Sequence, residues 1–199
     1  MCVIRKYSRR WSNPTPKPMA ELEWPDHHHV NATIGWLMLG SVVEARAEFE
    51  KLSPASRRRP QVLGVEWNLL SREHRWEEAV VAAEAQLAAA PGDPEPWIHR
   101  SFALHELRRT REAFDLLLPA AERFPEETTI CYNLACYTSQ LGDLPSARRW
   151  FARTLALGQF PAVELHHLRT ALQDADLQPL WPEFRQRLND LQTQPGSWS

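Results

Sequence analysis

Glycine, cysteine and lysine are scarce in this chain, and each shortage excludes a class of protein. The 199 residues include 7 glycines, too few for a fold built from tight hairpins or for a glycine-rich phosphate-binding loop. Three cysteines, at positions 2, 131 and 136, form no disulfide framework and suit a reducing compartment. Three lysines, at positions 6, 17 and 51, leave arginine as almost the only cation.

Long hydrophobic runs and strong net charge are also missing. The longest uncharged, apolar-leaning stretch covers residues 32–43, far short of the ~20 residues that span a bilayer. The basic N-terminus is not followed by the apolar stretch of a secretory signal. A formal net charge of −2 creates no field that would recruit nucleic acid. We therefore expect a cytoplasmic protein with no nucleic-acid or membrane partner.

A repeat with a period of 34 residues runs through the chain. It is marked by four alanines: Ala45, Ala79, Ala113 and Ala147. Pro91 and Pro125 each follow their alanine by twelve positions. Bulky apolar residues keep the same phase, and nine positions before the alanine stand Trp36, Leu70 and Leu104. Such a period is typical of stacked helix pairs, in which the small residue lets two helices cross closely and proline ends the second helix.

These positions resemble the tetratricopeptide repeat (TPR) family, whose period is also 34. The third repeat carries Trp97, Ala113 and Pro125 at family positions, and the fourth carries the segment 132–137 followed by Leu141, Gly142 and Asp143. Residues 162–181 resemble the closing segment of small bacterial TPR proteins. The resemblance implies an all-α, α-α superhelix (a TPR-like solenoid) of about four helix pairs with C-terminal capping helices, and a role in protein–protein interaction.

The period also divides the chain. A basic, proline-rich arm is expected to be disordered, and translation from Met19 is the alternative explanation of this segment. The predicted divisions are the arm 1–25, the repeats 26–59, 60–93, 94–127 and 128–161, the capping helices 162–192 and a frayed tail 193–199. The predicted helices cover 28–40, 43–53, 60–74, 76–90, 95–108, 110–124, 128–141, 144–157, 162–173 and 180–191.

Candidate ligand contacts follow from the helix phase. In such a solenoid the first helix of each pair lines the concave side, where a peptide would bind. The candidates that face this side are Asn68, Arg72, Ile98, Phe102, His105, Tyr132, Cys136 and Gln140. Aromatic side chains beside polar ones are typical of binding hot spots. The alternative is that Ile98 and Phe102 pack inside the protein, beneath its own C-terminal helix.

Metal and catalytic sites are weakly indicated. His27, His28 and His29 are consecutive, so on a helix they point about 100° apart and cannot share one ion. Cys131 and Cys136 do not have a zinc or redox spacing, and a buried structural role is expected. We therefore predict no metal, no cofactor and no enzymatic activity.

The function indicated is a non-catalytic scaffold or adaptor that binds a protein or peptide partner in the concave groove. A clamp for chaperone C-termini is disfavoured because the first helices lack lysine. The alternatives are a self-associating scaffold, which predicts an exposed apolar end surface, and an enzyme or metal protein, which predicts a deep pocket with strongly shifted pKa values.

Overall fold

The protein is all-α, in agreement with the predicted fold class. The computed structural model describes residues 22–158 and 161–193, without the side chain at position 161, and contains no strand within those ranges. Most of the predicted arm, up to residue 21, and the tail from residue 194 lie outside the described residues. None of the helices in the described part of the chain is long and apolar enough to cross a membrane.

The chain forms two compact units, of which the first ends at Leu116 and the second begins at Leu117. The helices of the first unit are α1 (Asp26–Leu39), α2 (Val42–Phe49), α3 (Pro54–Arg57), α4 (Pro60–Arg72), α5 (Trp76–Ala89), α6 (Glu95–Glu106) and α7 (Thr110–Leu117). In this unit, the strongest packing is between helices that follow one another along the chain, α1 with α2, α4 with α5 and α5 with α6. The repeat alanines Ala45, Ala79 and Ala113 are fully buried, as expected for residues at close helix crossings.

The first helix pair has a core of its own. Val30 and Leu37 of α1 pack with Phe49 of α2 and Leu69 of α4, and Leu22, from the predicted arm, is buried among them. Asp26 does not cap its own helix. Its carboxylate accepts hydrogen bonds from the backbone N–H of Ser53 at 3.1 Å and from the hydroxyls of Ser53 and Ser56, so it joins α1 to the short helix α3.

Helix α2 and the helix predicted over residues 110–124 are shorter than expected. Helix α2 ends at Phe49, and α3 starts afresh at Pro54 behind an N-cap on Ser53. The region 110–124 is divided into α7 and α8 (Ala120–Arg123). Pro119 explains the division, because proline has no N–H to donate and its ring clashes with the preceding turn.

The second unit contains a 3₁₀ segment between its last two helices. It contains α8, α9 (Thr128–Gln140), α10 (Leu144–Leu157), α11 (Pro161–Ala171), the 3₁₀ segment η1 (Ala175–Leu180) and α12 (Trp181–Thr193). Asp143 caps α10 by accepting from the Ser146 N–H at 3.0 Å. The ring of Phe184 from α12 lies 4.3 Å from that of Phe151 in α10, so the C-terminal helix covers the last repeat.

Candidate functional site

Of the candidate contacts in the first unit, Asn68 and Arg72 in α4 reach the surface. They are one helical turn apart, and Arg72 is exposed. Asn68 is half-buried, and its side-chain N–H donates to the Gly64 carbonyl at 2.9 Å. This bond holds the amide in place and leaves its carbonyl oxygen directed away from Gly64. Together the two residues offer a fixed amide and an exposed guanidinium on one side of α4.

The other three candidates in this unit are buried. Ile98, Phe102 and His105 lie on α6, and all three side chains are almost completely removed from solvent. The Phe102 ring meets the edges of Trp67 and Trp76, at centroid distances of 6.1 and 5.7 Å. Phe102 therefore belongs to an aromatic core between α4, α5 and α6. His105 bonds the Thr110 hydroxyl through Nδ1 at 3.0 Å, which ties α6 to the start of α7.

A buried polar cluster centred on His99 lies in the same unit. The imidazole stacks on Trp67, with ring centroids 3.8 Å apart and planes within 2° of parallel. Its Nδ1 lies 3.2 Å from Oε1 of the buried Gln86, so the ring donates there. Gly64 leaves the room that this arrangement needs, because an added Cβ would lie 3.0 Å from Gln86 Nε2.

Burial sets the charge state of this cluster. Desolvation lowers the pKa of His99 to about 3, so the imidazole is neutral at pH 7. Glu95 Oε1 lies 3.6 Å from His99 Nε2. Desolvation, with a smaller contribution from the charge of Asp93, raises the pKa of Glu95 to about 7. The two groups therefore sit side by side without a stable ion pair.

In the second unit, the chain itself occupies the predicted contact face. Tyr132 and Cys136 of α9 both point their polar atoms at Asp174, with Tyr132 Oη 3.1 Å and Cys136 Sγ 3.7 Å from Oδ2. Gln140 Nε2 donates to the Asp176 carbonyl at 3.1 Å. Three candidate contacts thus bind the segment that leads into η1, and Tyr132 and Cys136 are buried by it.

Asp174 is the electrostatic centre of this contact. Desolvation, together with repulsion from Asp176, raises its pKa to about 6. Its Oδ1 accepts from the backbone N–H of Asp176 at 3.1 Å and so caps η1. Possible ligand atoms of Cys136, Asp174 and Asp176 lie within 4.8 Å of one another. Both carboxylate oxygens of Asp174 are already used by protein donors, which makes this cluster a capping network.

Asp174→Asn should make the second unit less sensitive to pH. In the folded state the raised pKa favours the protonated acid, so this contribution to stability is present below the ordinary pKa of 3.8 and is lost as pH rises through about 6. The loss is roughly 3 kcal/mol at most. The free energy of unfolding, measured with urea at pH 4 and pH 7, tests this. Relative to wild type, Asp174→Asn should be more stable at pH 7 than at pH 4. A difference that is constant with pH would contradict the burial of a titrating Asp174.

The remaining motifs also find partners within the protein. His27 contacts Asn31, with Asn31 Nδ2 3.3 Å from Nε2, and the His28 ring lies 5.2 Å from that of Trp24. His29 Nδ1 lies 2.8 Å from Glu48 Oε2, so the three consecutive imidazoles have three different partners. Cys131 is buried and burial raises the pKa of its thiol, which disfavours the reactive thiolate.

An open depression marks the turn between α6 and α7. It is lined by Arg108, Arg109, Thr110, Arg111, Glu112, Asp115 and Leu116. Arg109 donates to both carboxylate oxygens of Glu112, at 2.8 and 2.7 Å. Paired surface charges in an open depression do not provide the desolvated, convergent polar groups that characterise a small-molecule site.

Sequence reasoning missed the His99 cluster and the role of Asp174. For His99 the available signal was Trp67, a large aromatic residue inside the helix predicted over 60–74, which needs partners large enough to cover it. For Asp174 the signal was the pair of aspartates before Leu177, since an aspartate just before a helical turn is a common N-cap. Neither pattern identifies the residue that the side chain meets.

The stacked helix pairs define the class of this fold, which is the TPR-like solenoid. The chain matches the structure of MamA residues 41 to the end from Desulfovibrio magneticus RS-1 with a TM-score of 0.64 at 15% identity, covering 86% of this chain and 97% of that one. It matches TTC0263, a thermophilic TPR protein of Thermus thermophilus, with a TM-score of 0.62 at 16% identity, covering 85% and 100%.

A third similar structure is PilF of Pseudomonas aeruginosa, with a TM-score of 0.63 at 20% identity, covering 87% of this chain and 78% of that one. No protein-family model and no curated protein sequence matches the chain. At these identities the likeness establishes the fold, and it confirms the TPR-like architecture that the 34-residue period predicts.

Proposed function

We propose that this protein is a non-catalytic scaffold or adaptor that binds a peptide or helix of a partner protein along the first helices of its repeats. The observation that supports this most is the TPR-like stacking, because repeat arrays present extended surfaces that suit protein ligands. The same proposal places the protein in the cytoplasm and includes no cofactor.

The binding surface that we propose is centred on α4. Asn68 and Arg72 are the candidate contacts in the first unit that reach solvent, and they provide a fixed amide and a guanidinium for a peptide backbone or carboxylate. The buried candidates Ile98, Phe102 and His105 contribute indirectly, because they set the position of α6. In this proposal, polar side chains on a rigid support contact the ligand, and the aromatic side chain of Phe102 does not.

In the second unit, the segment 174–176 illustrates how a ligand would bind. Tyr132, Cys136 and Gln140 contact it through a hydroxyl, a thiol and an amide, and the acceptors are a carboxylate and a backbone carbonyl. Because Tyr132 and Cys136 are buried and Gln140 is held by this segment, we assign them to the support of η1 and place the external ligand on the first unit, where Arg72 is exposed.

Arg72→Glu should abolish partner capture while the fold is retained. The full chain, immobilised and exposed to lysate of the source cells, should retain a protein that Arg72→Glu and Asn68→Ala lose. With the purified partner, the Kd should rise about 30-fold for Arg72→Glu, which is the usual effect of removing an arginine contact at the centre of an interface.

The matched control is Arg111→Glu, an exposed arginine at the start of a second helix, α7. It makes the same change of charge on the same unit but lies off the proposed surface, and it should bind like wild type. Equal weakening by Arg72→Glu and Arg111→Glu would mean that net charge drives binding. Unchanged binding by Arg72→Glu would exclude α4 as the contact surface.

A further inference from the structure

The first helix pair exposes an apolar surface that nothing in the described residues covers. Exposed fractions are 37% for Trp36, 83% for Met38, 75% for Leu39 and 78% for Val43. These residues lie at the end of α1 and the start of α2, and we call them, together with Gly35, the outer face. Large exposed apolar side chains grouped within one short segment are typical of association surfaces.

The centre of the outer face, at Gly35 and Leu39, lies on the side of α1 that points away from the core. The buried residues Val30, Thr33 and Leu37 follow one another at three- and four-residue spacing and form the inner stripe. Gly35 and Leu39 are one turn apart on the opposite side of the helix. A helix face that meets only solvent is normally polar, so the apolar character of this face requires an explanation.

Gly35 is the second unusual feature of this face. It lies in the interior of α1 with helical geometry, and an added Cβ would meet nothing within 4 Å. The monomer therefore gains no packing from glycine here, although glycine weakens a helix relative to alanine. A glycine with open space above it lets the backbone of another helix come close.

The absence of charge indicates what covers this face. No residue from Val30 to Val43 is charged. A basic occupant such as the segment 1–21, with five basic residues and one acidic residue, would find no counter-charge there. A second copy of the same surface would meet no like-charge repulsion. The four exposed side chains offer roughly 500 Å² per copy, so a symmetric contact that covered all four would bury about 1,000 Å², the lower limit for a specific interface.

We propose that the outer face is a homodimer interface, in which α1 of one copy packs against α1 of a second copy about a two-fold axis near Gly35. A two-fold interface is self-complementary. The two Gly35 positions approach each other at the helix crossing, while Leu39 and Met38 of each copy cover the helix of the other. This surface differs from the α4 surface, so loss of either interaction leaves the other intact.

Sedimentation velocity on the full chain tests the proposal directly. Wild type should show a concentration-dependent monomer–dimer equilibrium, and Leu39→Arg should raise the dimer Kd at least about tenfold. Val81→Arg is the matched control, because Val81 is 65% exposed on α5 outside the outer face, and it should dimerise like wild type. A monomeric wild type at about 100 μM would overturn the proposal and leave another protein or residues 1–21 as the occupant.

Substitution at Gly35 tests the two-fold geometry. Gly35→Ala should raise the melting temperature of the monomer by about 2–4 °C, since it improves the helix, and should weaken the dimer. Gly35→Glu and Gly35→Lys should each be monomeric, and an equimolar mixture should dimerise again because opposite charges then meet at the axis. A mixture that stays monomeric, or a Gly35→Ala dimer as tight as wild type, would overturn the close crossing at Gly35.

Discussion

Replacing His99 with phenylalanine is expected to remove the largest single source of acid sensitivity in the first unit. The pKa of His99 is lowered to about 3 from 6.5 by desolvation. A group with a depressed folded-state pKa contributes stability above its unfolded value, and that contribution is lost as pH falls from about 6.5 through about 3. The loss amounts to roughly 5 kcal/mol at the acid end of this window, a large part of the stability of a domain.

Urea denaturation between pH 7 and pH 4 measures this effect. Relative to His99→Phe, whose ring can keep the stack on Trp67, wild type should lose stability as the pH falls, because only wild type has an imidazole to protonate. Glu95, with its pKa raised to about 7, contributes in the opposite direction over the same range, but it does so in both proteins. Because Gln86 loses its partner, the variant should be less stable than wild type at pH 7. His27→Phe, at an exposed imidazole, should follow the wild-type slope. Equal slopes for His99→Phe and wild type would show that His99 is accessible to protonation in the folded state.

Phe102→Ala is expected to destabilise the first unit by about 3–5 kcal/mol, the usual cost of removing a buried aromatic ring. The ring lies between Trp67 and Trp76, and neither indole can close the cavity without leaving its own contacts. Phe114→Ala in α7 is the control, because that ring is half-buried and its loss should cost less than half as much. The measurement is the free energy of unfolding at pH 7.

A small effect of Phe102→Ala would show that the aromatic core relaxes and that Phe102 is available to a ligand. The expected large effect has a practical consequence for binding experiments. Loss of partner capture by a Phe102 variant would report unfolding, whereas Arg72→Glu changes an exposed side chain and leaves the core intact.

The helix pairs follow from the sequence because they rest on local and repeated signals. The four alanines at a spacing of 34 fix where helices cross, and all four, from Ala45 to Ala147, are fully buried. Errors arose where one residue changed a helix. Pro119 splits the helix predicted over 110–124, and the helix predicted over 43–53 ends at Phe49 before a new one starts at Pro54.

The candidate contacts show the limit of helix phase. The position of Phe102 and Tyr132 within the helical repeat places them on the concave side lined by first helices. It does not reveal which residues face them. In the structure a second aromatic layer, from Trp67 and Trp76, encloses Phe102, and the segment beginning at Asp174 covers Tyr132. Both partners are distant in sequence, so no local pattern predicts these contacts.

The sequence alone therefore determined the repeat, the all-α class and the helix pairing, since small residues and prolines act through local geometry that recurs every 34 positions. Tertiary structure decided which polar groups are desolvated, and so the charge of His99 and Asp174. It also decided which apolar residues stay exposed. Burial depends on residues brought together from distant parts of the chain, and that is why Leu39 of the outer face is exposed whereas Leu107, at the same place in the repeat, is half-buried.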